Sequence, residues 1–336
     1  MSAAMRYIEL FAGAGGLSMG LEAAGMVPVA HAEIEPHARA VLRHHWPDTP
    51  LHGDVTQVDW TPYAGQVDVV AGGSPCQDLS VAGKRAGLAG ARSWLFYELI
   101  RAWDETRATY CLWENVDGAR SSNKGADLAS VLSAFVGAAV AVPRDGWTSA
   151  GVVAGATGVA AWRVLDLQHF GPPQRRRRLF VVATRTGGVD PAQVLALSEG
   201  VCGHLAPREQ QKQGAAQGAT DGTGGGSLDN TETAAVPDVV GTLDFGGHGG
   251  SYNGQDAYTG RIFPSSGRPR RLTPLECERL MGWPDAWTAL GTKEDGTWYN
   301  LSDTARYRLC GNGVGAPVAA WIARRLVAEE AAWPIP

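Results

Sequence analysis

The sequence predicts an α/β fold: a doubly wound, mainly parallel sheet, joined to a smaller, irregular β-rich domain. In the first half, strand-like and helix-like segments alternate, and a glycine-rich turn follows the first strand directly. In the second half, glycine and small polar residues become frequent. Such alternation is typical of parallel sheets that carry helices on both faces and bind ligands beyond the carboxyl ends of their strands.

Each element of the predicted sheet has a local signal. The strand-like segments are RYIELFA, VPVAHAEI, VDVVAGG and TYCLWENV. Between them lie the helix-like LSMGLEAAG, which ends at Gly25, PHARAVLRHHW, in which Pro36 suits a first turn, and SWLFYELIRAWDETR. A further strand, LFVVAT, follows the basic run QRRRR. We therefore assign residues 1–184 to the sheet domain.

The rest of the chain is less regular. The stretch GAAQGATDGTGGGSLDN indicates a mobile loop or linker, and the β-like pieces VVGTLDF and GRIFP lie between glycine-rich turns. Helical character returns in TPLECERLMGW and in APVAAWIARRLVAEEAA. We predict a second domain over residues 185–302 and a carboxyl-terminal segment, 303–336, that packs back on the first domain.

Bulk properties argue against several classes of protein. The chain has 336 residues, a formal net charge of −5 and five scattered cysteines without a CxxC pair. Such cysteines disfavour a disulfide framework or a zinc site and fit a reducing cytoplasm. No signal-peptide pattern opens the sequence, and the longest bland stretch, VLSAFVGAAVAV, is too short to span a bilayer. We expect a soluble, intracellular protein with no membrane partner.

The net charge disfavours generic polyanion binding, but local positive patches leave binding of nucleic acid possible.

The stretch ELFAGAGG places glycines between a strand and a helix. Backbone can approach a ligand closely there, and the helix amino terminus favours a carboxylate or phosphate. Glu33 and Asp54 follow later strands, where an acid suits ribose hydroxyls or an adenine amino group. The alternative is a glycine turn that exists only for tight packing. The glycine spacing is not the dinucleotide fingerprint, which disfavours a nicotinamide cofactor.

The stretch GGSPCQDLS places Cys76 behind Pro75, directly after a buried strand. A lone cysteine is most often a small buried hydrophobe, but a thiol at the tip of a sheet can attack a ligand. Glu114 in WENV ends another strand of the same sheet and can reach the same pocket. The alternative interpretation is that Glu114 is a surface carboxylate, although the apolar residues around it favour burial and a raised pKa.

The run QRRRR, residues 174–178, precedes a strand. A basic run is usually a solvated face or a nucleic-acid patch. Because side chains alternate along a strand, Arg176 and Arg178 share one face, while Arg175 and Arg177 share the other. One pair can therefore enter a site while the other stays in solvent.

These pieces, in this order, resemble the cytosine-5 DNA methyltransferases of prokaryotes and phages. The resemblance rests on ELFAGAGG, GGSPCQDLS, GLAGARSWLF, WENV, QRRRRLF, RRLTPLECERLMGWP and CGNGV. It covers nearly the whole chain, except for a stretch from about 187 to 267. It implies a Rossmann-like methyltransferase fold, S-adenosylmethionine as cofactor and duplex DNA as substrate. Residues 1–184 then become the catalytic and cofactor-binding domain, and 185–302 the target-recognition domain.

The resemblance also implies roles for single residues. Cys76 is the nucleophile, Glu114 hydrogen-bonds nitrogen 3 of the target cytosine, Arg178 contacts the ring carbonyl oxygen, and Arg176 supports Glu114. The implied cofactor contacts are Phe11 on the adenine, the backbone of Gly13, Gly15 and Gly16 around the methionine part, Glu33 on the ribose, Asp54 on the adenine amino group, and Asn312 closing the pocket. This chain departs from the family at Glu9, where aspartate is usual, and at Ile34, where an aromatic residue is common.

A duplex hides both faces of a cytosine, so the base must flip out before a thiol can reach it. By resemblance, the loop from Gln77 to about Arg92 closes over the flipped base, and Ser80, Lys84 and Arg92 meet phosphates. The alternative is an ordinary mobile loop whose side chains only face solvent. In the recognition domain, Thr242 matches a family position, and local positive charge comes from Arg261, Arg268, Arg270 and Arg271.

Two other interpretations stay open. The substrate can be transfer RNA, since one branch of the family modifies it, although the long variable segment favours DNA. A catalytically silent DNA-binding relative is the second alternative, against which the intact Cys76, Glu114 and Arg178 speak. We expect a monomer, with a cognate restriction endonuclease as a candidate partner. The sequence does not distinguish a restriction-linked, a phage-encoded and a solitary enzyme.

Overall fold

An eight-stranded sheet organises the molecule, and its strand order is β3-β2-β1-β4-β5-β8-β7-β6. The computed structural model describes residues 3–75, 95–197, 262–265 and 268–332, with only the backbone of 262–265 and 268–271. The strands are β1 (Arg6–Leu10), β2 (Val27–Ala32), β3 (Leu51–His52), β4 (Val69–Gly72), β5 (Tyr110–Val116), β6 (Ala150–Ala154), β7 (Gly158–Asp166) and β8 (Arg177–Arg185).

The sheet is parallel from β3 to β5 and antiparallel from β5 to β6. Neighbouring strands pair in parallel among β3, β2, β1, β4 and β5. The pairs β5–β8, β8–β7 and β7–β6 are antiparallel. The predicted mainly parallel sheet is confirmed. The antiparallel edge matters for the site, because β8 begins at the edge where β5 ends.

Helices cover both faces of this sheet, which confirms the doubly wound prediction. They are α1 (Gly16–Glu22), α2 (Pro36–His45), α3 (Leu95–Thr106), α4 (Ala126–Val136), α5 (Pro191–Val194), α6 (Pro274–Leu280), α7 (Asp303–Asn312) and α8 (Ala316–Ala332). Two antiparallel strand pairs, β9 (Ile262–Ser265) with β10 (Arg268–Arg271) and β11 (Leu290–Thr292) with β12 (Trp298–Asn300), and several short 3₁₀ helices are also described.

Alternate residues of the central strands enter two different apolar clusters. In β4, Val70 packs with Phe96 and Leu128 of α3 and α4, while Val69 packs on the other face with Leu17 of α1 and Val318 of α8. A parallel strand that is buried on both faces reads as a continuous apolar run. The segment VDVVAGG shows such a run, which is why its strand is predictable.

The ends of several predicted helices follow local chemistry. Gly25 has φ of 85° after α1, and α2 starts with Pro36 behind Glu35, whose side chain accepts a hydrogen bond from the N–H of Ala38. Thr273 and Glu276 form a capping box at the start of α6, within the predicted TPLECERLMGW. Sequence chemistry at these termini is therefore sufficient to place them.

Several elements escape the sequence interpretation, among them α4, β6, β7 and α7. The uncharged stretch VLSAFVGAAVAV contains most of α4, but small residues on all faces of the helix obscure its hydrophobic periodicity. Strands β6 and β7 are paired with each other and with β8, so pairing rather than local sequence defines them. Helix α7 carries apolar and polar residues without a clear stripe.

A third apolar cluster joins the carboxyl-terminal part of the chain to α2. Leu272, Met281 and Leu301 pack in it with Val41 of α2 and Leu309 of α7. Residues 272–302 thus contact the sheet domain directly. The predicted domain boundaries at 184 and 302 stay predictions.

Within the described ranges, no helix is both long and apolar enough to cross a membrane. The same residues contain no cluster of three potential metal-ligating side chains. The three cysteines among them, Cys111, Cys277 and Cys310, are buried and carry no disulfide.

Candidate active site

The loop between β1 and α1 forms one wall of the candidate site. The backbone is left-handed at Phe11 and Gly13, with φ of 56° and 54°. A side chain on Gly13 would meet no other atom within 4 Å, so this face of the loop is open. Left-handed backbone is rare for a residue as large as phenylalanine and tends to cluster at ligand sites. The predicted cofactor loop is therefore accessible where Gly13 lies.

Gly15 and Gly16, in contrast, allow close packing within the protein. A Cβ on Gly15 would overlap the ring of Trp46, and one on Gly16 would overlap the carbonyl oxygen of Val314. The turn between α7 and α8 thus lies directly on the start of α1. Asn312, the last residue of α7, is exposed two positions before that contact.

Glu33 ties the ends of β1 and β2 together. Its carboxylate accepts hydrogen bonds from the backbone N–H groups of Gly13 (2.7 Å), Ile34 (2.8 Å) and Glu35 (2.7 Å). Burial raises the pKa of this carboxyl, and the three N–H groups oppose the shift. The structure thus brings Glu33 to the glycine loop, beside the exposed side chain of Ile34.

Asp54 lies at the same edge of the sheet, after β3. Its exposed carboxylate accepts a hydrogen bond at 3.0 Å from an N–H of the short 3₁₀ helix Val55–Gln57, which it caps. Arg39 joins the ends of β2 and β3 by donating to the carbonyl oxygens of Glu33 (2.9 Å) and His52 (2.5 Å). Asp54 is two residues beyond this link and therefore close to Glu33 along the edge.

A buried polar network supports the loop from beneath. The carboxylate of Glu9 accepts hydrogen bonds from the backbone N–H (2.9 Å) and the hydroxyl of Ser18, and that hydroxyl also contacts Nε2 of His31 at 2.8 Å. Burial raises the pKa of Glu9 to about 8 and lowers that of His31 to about 4. Glu9, the departure from the family noted above, therefore braces α1 from inside the protein.

Glu114 and Arg178 form the charged centre of the site. Glu114 is near the end of β5, Arg178 is near the start of β8, and antiparallel pairing sets these strands side by side. Nε of Arg178 lies 3.2 Å from Oε1 of Glu114. This contact is an ion pair without hydrogen-bond geometry, because the buried Oε1 accepts no hydrogen bond from any described residue. A buried oxygen of this kind can receive a hydrogen-bonding group of a ligand.

Electrostatics at Glu114 are balanced between burial and two arginines. Burial raises the pKa of its carboxyl, while the charges of Arg178 and Arg176 oppose the shift. Arg176 is itself buried, and its Nη2 donates to the carbonyl oxygens of Gly311 (3.1 Å) and Gly313 (2.6 Å). Arg176 thereby joins the strand that carries Arg178 to the turn between α7 and α8.

Burial alternates along the basic run, as the sequence predicts. Arg176 is buried and Arg178 half-buried, whereas Arg175 and Arg177 are exposed. The regular strand begins only at Arg177, so the alternation extends into the preceding turn. The expected division into an inward and an outward pair is confirmed.

The loop after β4 is held by two side chains of β5. The indole N–H of Trp113 donates to the hydroxyl of Ser74 at 2.9 Å, and Nδ2 of Asn115 donates to the carbonyl oxygen of Ser74 at 3.1 Å. A Cβ on Gly73 would lie 3.1 Å from Oε2 of Glu114, so the loop runs directly past that carboxylate. This clamp on Ser74, two residues before Cys76, was not predicted from the sequence.

Five predicted site residues lie outside the described residues, namely Cys76, Ser80, Lys84, Arg92 and Thr242. Their roles stay predictions, as do the base and cofactor contacts assigned to the residues above. The missed clamp had one available signal, because Trp113 and Asn115 flank Glu114 in a strand that lies next to the one leading to Ser74.

Comparison with known proteins assigns the chain to a family. The C-5 cytosine-specific DNA methylase family matches residues 5–199 and 248–328, which is more than half of the chain. The chain belongs to this family. The resemblance drawn from the sequence motifs is thereby confirmed.

Relatives in the C-5 cytosine-specific DNA methylase family include longer proteins. A protein of Escherichia phage P1 named DNA N-6-adenine-methyltransferase is 28% identical over an alignment of 458 residues. The alignment covers 95% of this chain and 61% of that protein. Type II methyltransferase M2.BsuMI of Bacillus subtilis is 30% identical over 336 residues, covering 96% of this chain and 75% of the relative. The chain therefore spans less than two thirds of the phage protein.

The fold of this family member is also found in solved structures. The crystal structure of S. pombe Dnmt2 methyltransferase superposes with a TM-score of 0.60 at 17% identity, covering 96% of this chain and 98% of the other. At that identity the likeness concerns the fold alone. It agrees with the Rossmann-like methyltransferase fold that the sequence predicts.

Proposed function

We propose that this chain is a DNA (cytosine-5-)-methyltransferase, which transfers a methyl group from S-adenosylmethionine to carbon 5 of a flipped-out cytosine in duplex DNA. The observation that carries the proposal is the convergence of Glu114 and Arg178, 3.2 Å apart, beside the loop that leads to Cys76. Membership in the C-5 cytosine-specific DNA methylase family supports the same activity.

The residues at the β1 and β2 ends fit the cofactor. Gly13 faces open space, and Glu33 presents a half-buried carboxylate beside it. When bound, S-adenosylmethionine supplies an electrophilic methyl group on a sulfonium. In the proposed site, Phe11 contacts the adenine, the backbone at Gly13 borders the methionine part, and Glu33 binds the ribose hydroxyls. Asp54 and Asn312, both exposed at this edge, complete the proposed cofactor contacts.

The thiolate of Cys76 adds to carbon 6 of the cytosine, and the electron pair moves into the ring and makes carbon 5 nucleophilic. Chain connectivity supports this role, since three residues from Gly73 can span at most about 11 Å. After methyl transfer, loss of the carbon-5 proton returns the electron pair and expels the cysteine. The thiolate, not the thiol, is the nucleophile. Since a free cysteine with a pKa near 8.5 is mostly protonated at neutral pH, the site has to lower the pKa of Cys76.

Glu114 and Arg178 stabilise the ring while it carries the added electrons. In its protonated form the carboxyl of Glu114 donates a hydrogen bond to nitrogen 3, and burial, which raises its pKa, favours that form. The guanidinium of Arg178 contacts the ring carbonyl oxygen, where negative charge develops. Arg176 supports this pair through its charge and its bonds to Gly311 and Gly313.

DNA contacts are proposed on both sides of this centre. Ser80, Lys84 and Arg92 bind phosphates from the loop after Cys76, and residues 185–302, with Thr242 among them, read the target sequence. Since residues 272–302 pack on α2, the base-reading part falls before them. We propose that the protein acts as a monomer on the DNA of a bacterial or phage-infected cell, with a cognate restriction endonuclease as candidate partner.

The test is to incubate the protein with labelled S-adenosylmethionine and duplex DNA or transfer RNA, and then to identify the methylated base. We expect 5-methylcytosine in duplex DNA at one recurring sequence, which bisulfite sequencing reports. Label in transfer RNA alone, or as N6-methyladenine, would contradict the proposal. No label in either substrate would favour a catalytically silent relative. Cys76→Ser is the matched control and is expected to abolish incorporation while the fold survives.

A further inference from the structure

Two tryptophans from distant parts of the chain converge on the loop between β1 and α1. Trp287, which follows α6, donates a hydrogen bond from its indole N–H to the carbonyl oxygen of Ala14 at 2.7 Å. Trp46, which follows α2, lies so close to Gly15 that a Cβ there would overlap its ring. Two consecutive residues of the predicted cofactor loop are therefore held by side chains from other elements.

The orientation of both rings is itself fixed. The rings of Trp46 and Trp287 pack edge to face, with centroids 5.6 Å apart. His45 stacks on Trp287 with ring planes 1° apart, and its Nε2 donates to the carbonyl oxygen of Trp287 at 2.8 Å. The indole N–H of Trp46 donates to the carboxylate of Glu22, at the end of α1, at 2.8 Å. The N–H of Trp287 is thus aimed at the loop by its surroundings.

The bond from Trp287 reaches a part of the loop that has wide conformational freedom. Ala14 lies between Gly13 and Gly15, whose backbones are left-handed with φ of 54° and 81°. Glycine loses more conformational entropy on ordering than other residues. Glu33 accepts a hydrogen bond from the N–H of Gly13 on one side, and Trp287 donates to the carbonyl oxygen of Ala14 on the other. Together these bonds restrain the peptide groups on both sides of the open face at Gly13.

We propose that Trp287 is a positioning residue for the cofactor, whose indole N–H holds the Ala14 carbonyl and so shapes the backbone at Gly13 for the methionine part of S-adenosylmethionine. This inference rests on the proposed function and extends it to a residue outside the chemistry at Glu114 and Arg178. Trp287 acts through the loop, by ordering it before the ligand binds, and such preorganisation lowers the entropic cost of binding.

The test compares two tryptophan variants that lose the same kind of bond. Trp287→Phe keeps an aromatic ring in the cluster but removes the N–H donor. Trp147→Phe is the matched control, since Trp147 is also half-buried and donates to a backbone carbonyl, that of Gly125, at 2.8 Å. Trp147 packs on Trp162 of β7, and β7 is four strands from β1, or about 19 Å at the usual strand spacing.

Three measurements are made on the wild type and both variants. Urea unfolding should show similar losses of stability in the two variants, because each loses one hydrogen bond. Amide hydrogen exchange of the free protein should become faster in residues 10–18 for Trp287→Phe only. Calorimetry without DNA should show that the dissociation constant for S-adenosylmethionine rises about three- to tenfold in Trp287→Phe only, since binding then has to order the loop.

Steady-state methylation separates positioning from a general defect. In Trp287→Phe the KM for S-adenosylmethionine should rise, while kcat and the KM for DNA stay at the wild-type values. Cofactor affinity in Trp287→Phe equal to that of the wild type, or lowered equally in Trp147→Phe, would overturn the inference. A wild type that binds S-adenosylmethionine but methylates no DNA would instead contradict the proposed function alone.

Discussion

At the scale of single residues, the site depends on one buried carboxyl held between opposing influences. Burial raises the pKa of Glu114, and two nearby guanidinium groups lower it. Burial favours the protonated carboxyl of Glu114, and the two guanidinium groups favour the ionised form. An oxygen of this carboxyl has no hydrogen bond from the described part of the chain, so it can serve the base.

The first prediction concerns this carboxyl. Glu114→Gln keeps the shape and an N–H donor, but it removes the proton-donating acid. We expect kcat to fall by about 10²–10³-fold, because the substitution removes stabilisation that develops during the reaction. KM for DNA should change by less than a few-fold. Steady-state methylation with saturating DNA and cofactor measures kcat, and unchanged kcat would contradict the assigned role.

A second residue-scale prediction concerns the loop clamp. Ser74→Ala would leave the buried indole N–H of Trp113 without its acceptor, which costs about 1–3 kcal/mol. We expect lower stability in urea unfolding and a lower kcat, with cofactor affinity unchanged. Ser74→Thr keeps the hydroxyl and should restore most of the lost rate. If Ser74→Ala loses stability but keeps full kcat, the clamp is structural only.

At the scale of elements, the Glu9–Ser18–His31 network joins β1, α1 and β2. Its two titratable groups have pKa values shifted in opposite directions by the same burial. The folded state thus keeps both groups uncharged near neutral pH. The network is a structural support for the loop that carries Phe11 and Gly13.

This network predicts a pH dependence of stability. Glu9 ionises near 4.5 in the unfolded chain but near 8 in the folded protein, so its contribution is complete below pH 4.5 and is lost as pH rises to 8. The lowered pKa of His31 acts oppositely, between about 4 and 6.5. Between pH 6.5 and 8 only the loss from Glu9 remains, about 2 kcal/mol.

Glu9→Gln should remove that loss. Urea unfolding at pH 6.5 and pH 8 measures the free energy of unfolding for both proteins. The wild type should lose more stability than the variant over this interval. Equal losses in the two proteins would show that Glu9 does not titrate there.

The packing of α1 on α8 gives another prediction at this scale. A Cβ on Gly20 would lie 2.6 Å from the backbone nitrogen of Ala320, and backbone cannot move aside cheaply. Gly20→Ala should therefore destabilise the protein by about 1–3 kcal/mol through overpacking. Gly118→Ala is the matched control, since its nearest neighbour would be 3.9 Å away. A variant at Gly20 as stable as this control would refute the close contact.

At the scale of the whole molecule, the sheet brings its functional ends to one edge. The parallel strands β1 to β5 end there, and the antiparallel β8 begins there, so Arg178 meets Glu114 although 64 positions separate them in the sequence. The carboxyl-terminal turn closes this edge through Val314 on Gly16 and through Arg176.

Much of this arrangement was predictable from the sequence. Buried strands, proline and glycine at helix ends, and alternation along QRRRR are local signals. The structure confirms the prediction made from each of them. The clamp on Ser74, the Glu9–Ser18–His31 network and strands β6 and β7 were not predictable, because they depend on contacts between residues distant in sequence. The packing alternative considered for the glycine turn holds at Gly15 and Gly16, but their partners Trp46 and Val314 were not predictable, since they come from other elements.

The central claim is that a cysteine adds to a cytosine presented by Glu114 and Arg178. The most direct measurement is mass spectrometry of the complex formed with S-adenosylmethionine and a duplex that carries 5-fluorocytosine at the recognised position. Fluorine cannot leave as the proton does, so the adduct should persist. We predict a covalent protein–DNA adduct that maps to Cys76 and is absent in Cys76→Ser. No adduct, or one at another residue, would contradict the claim.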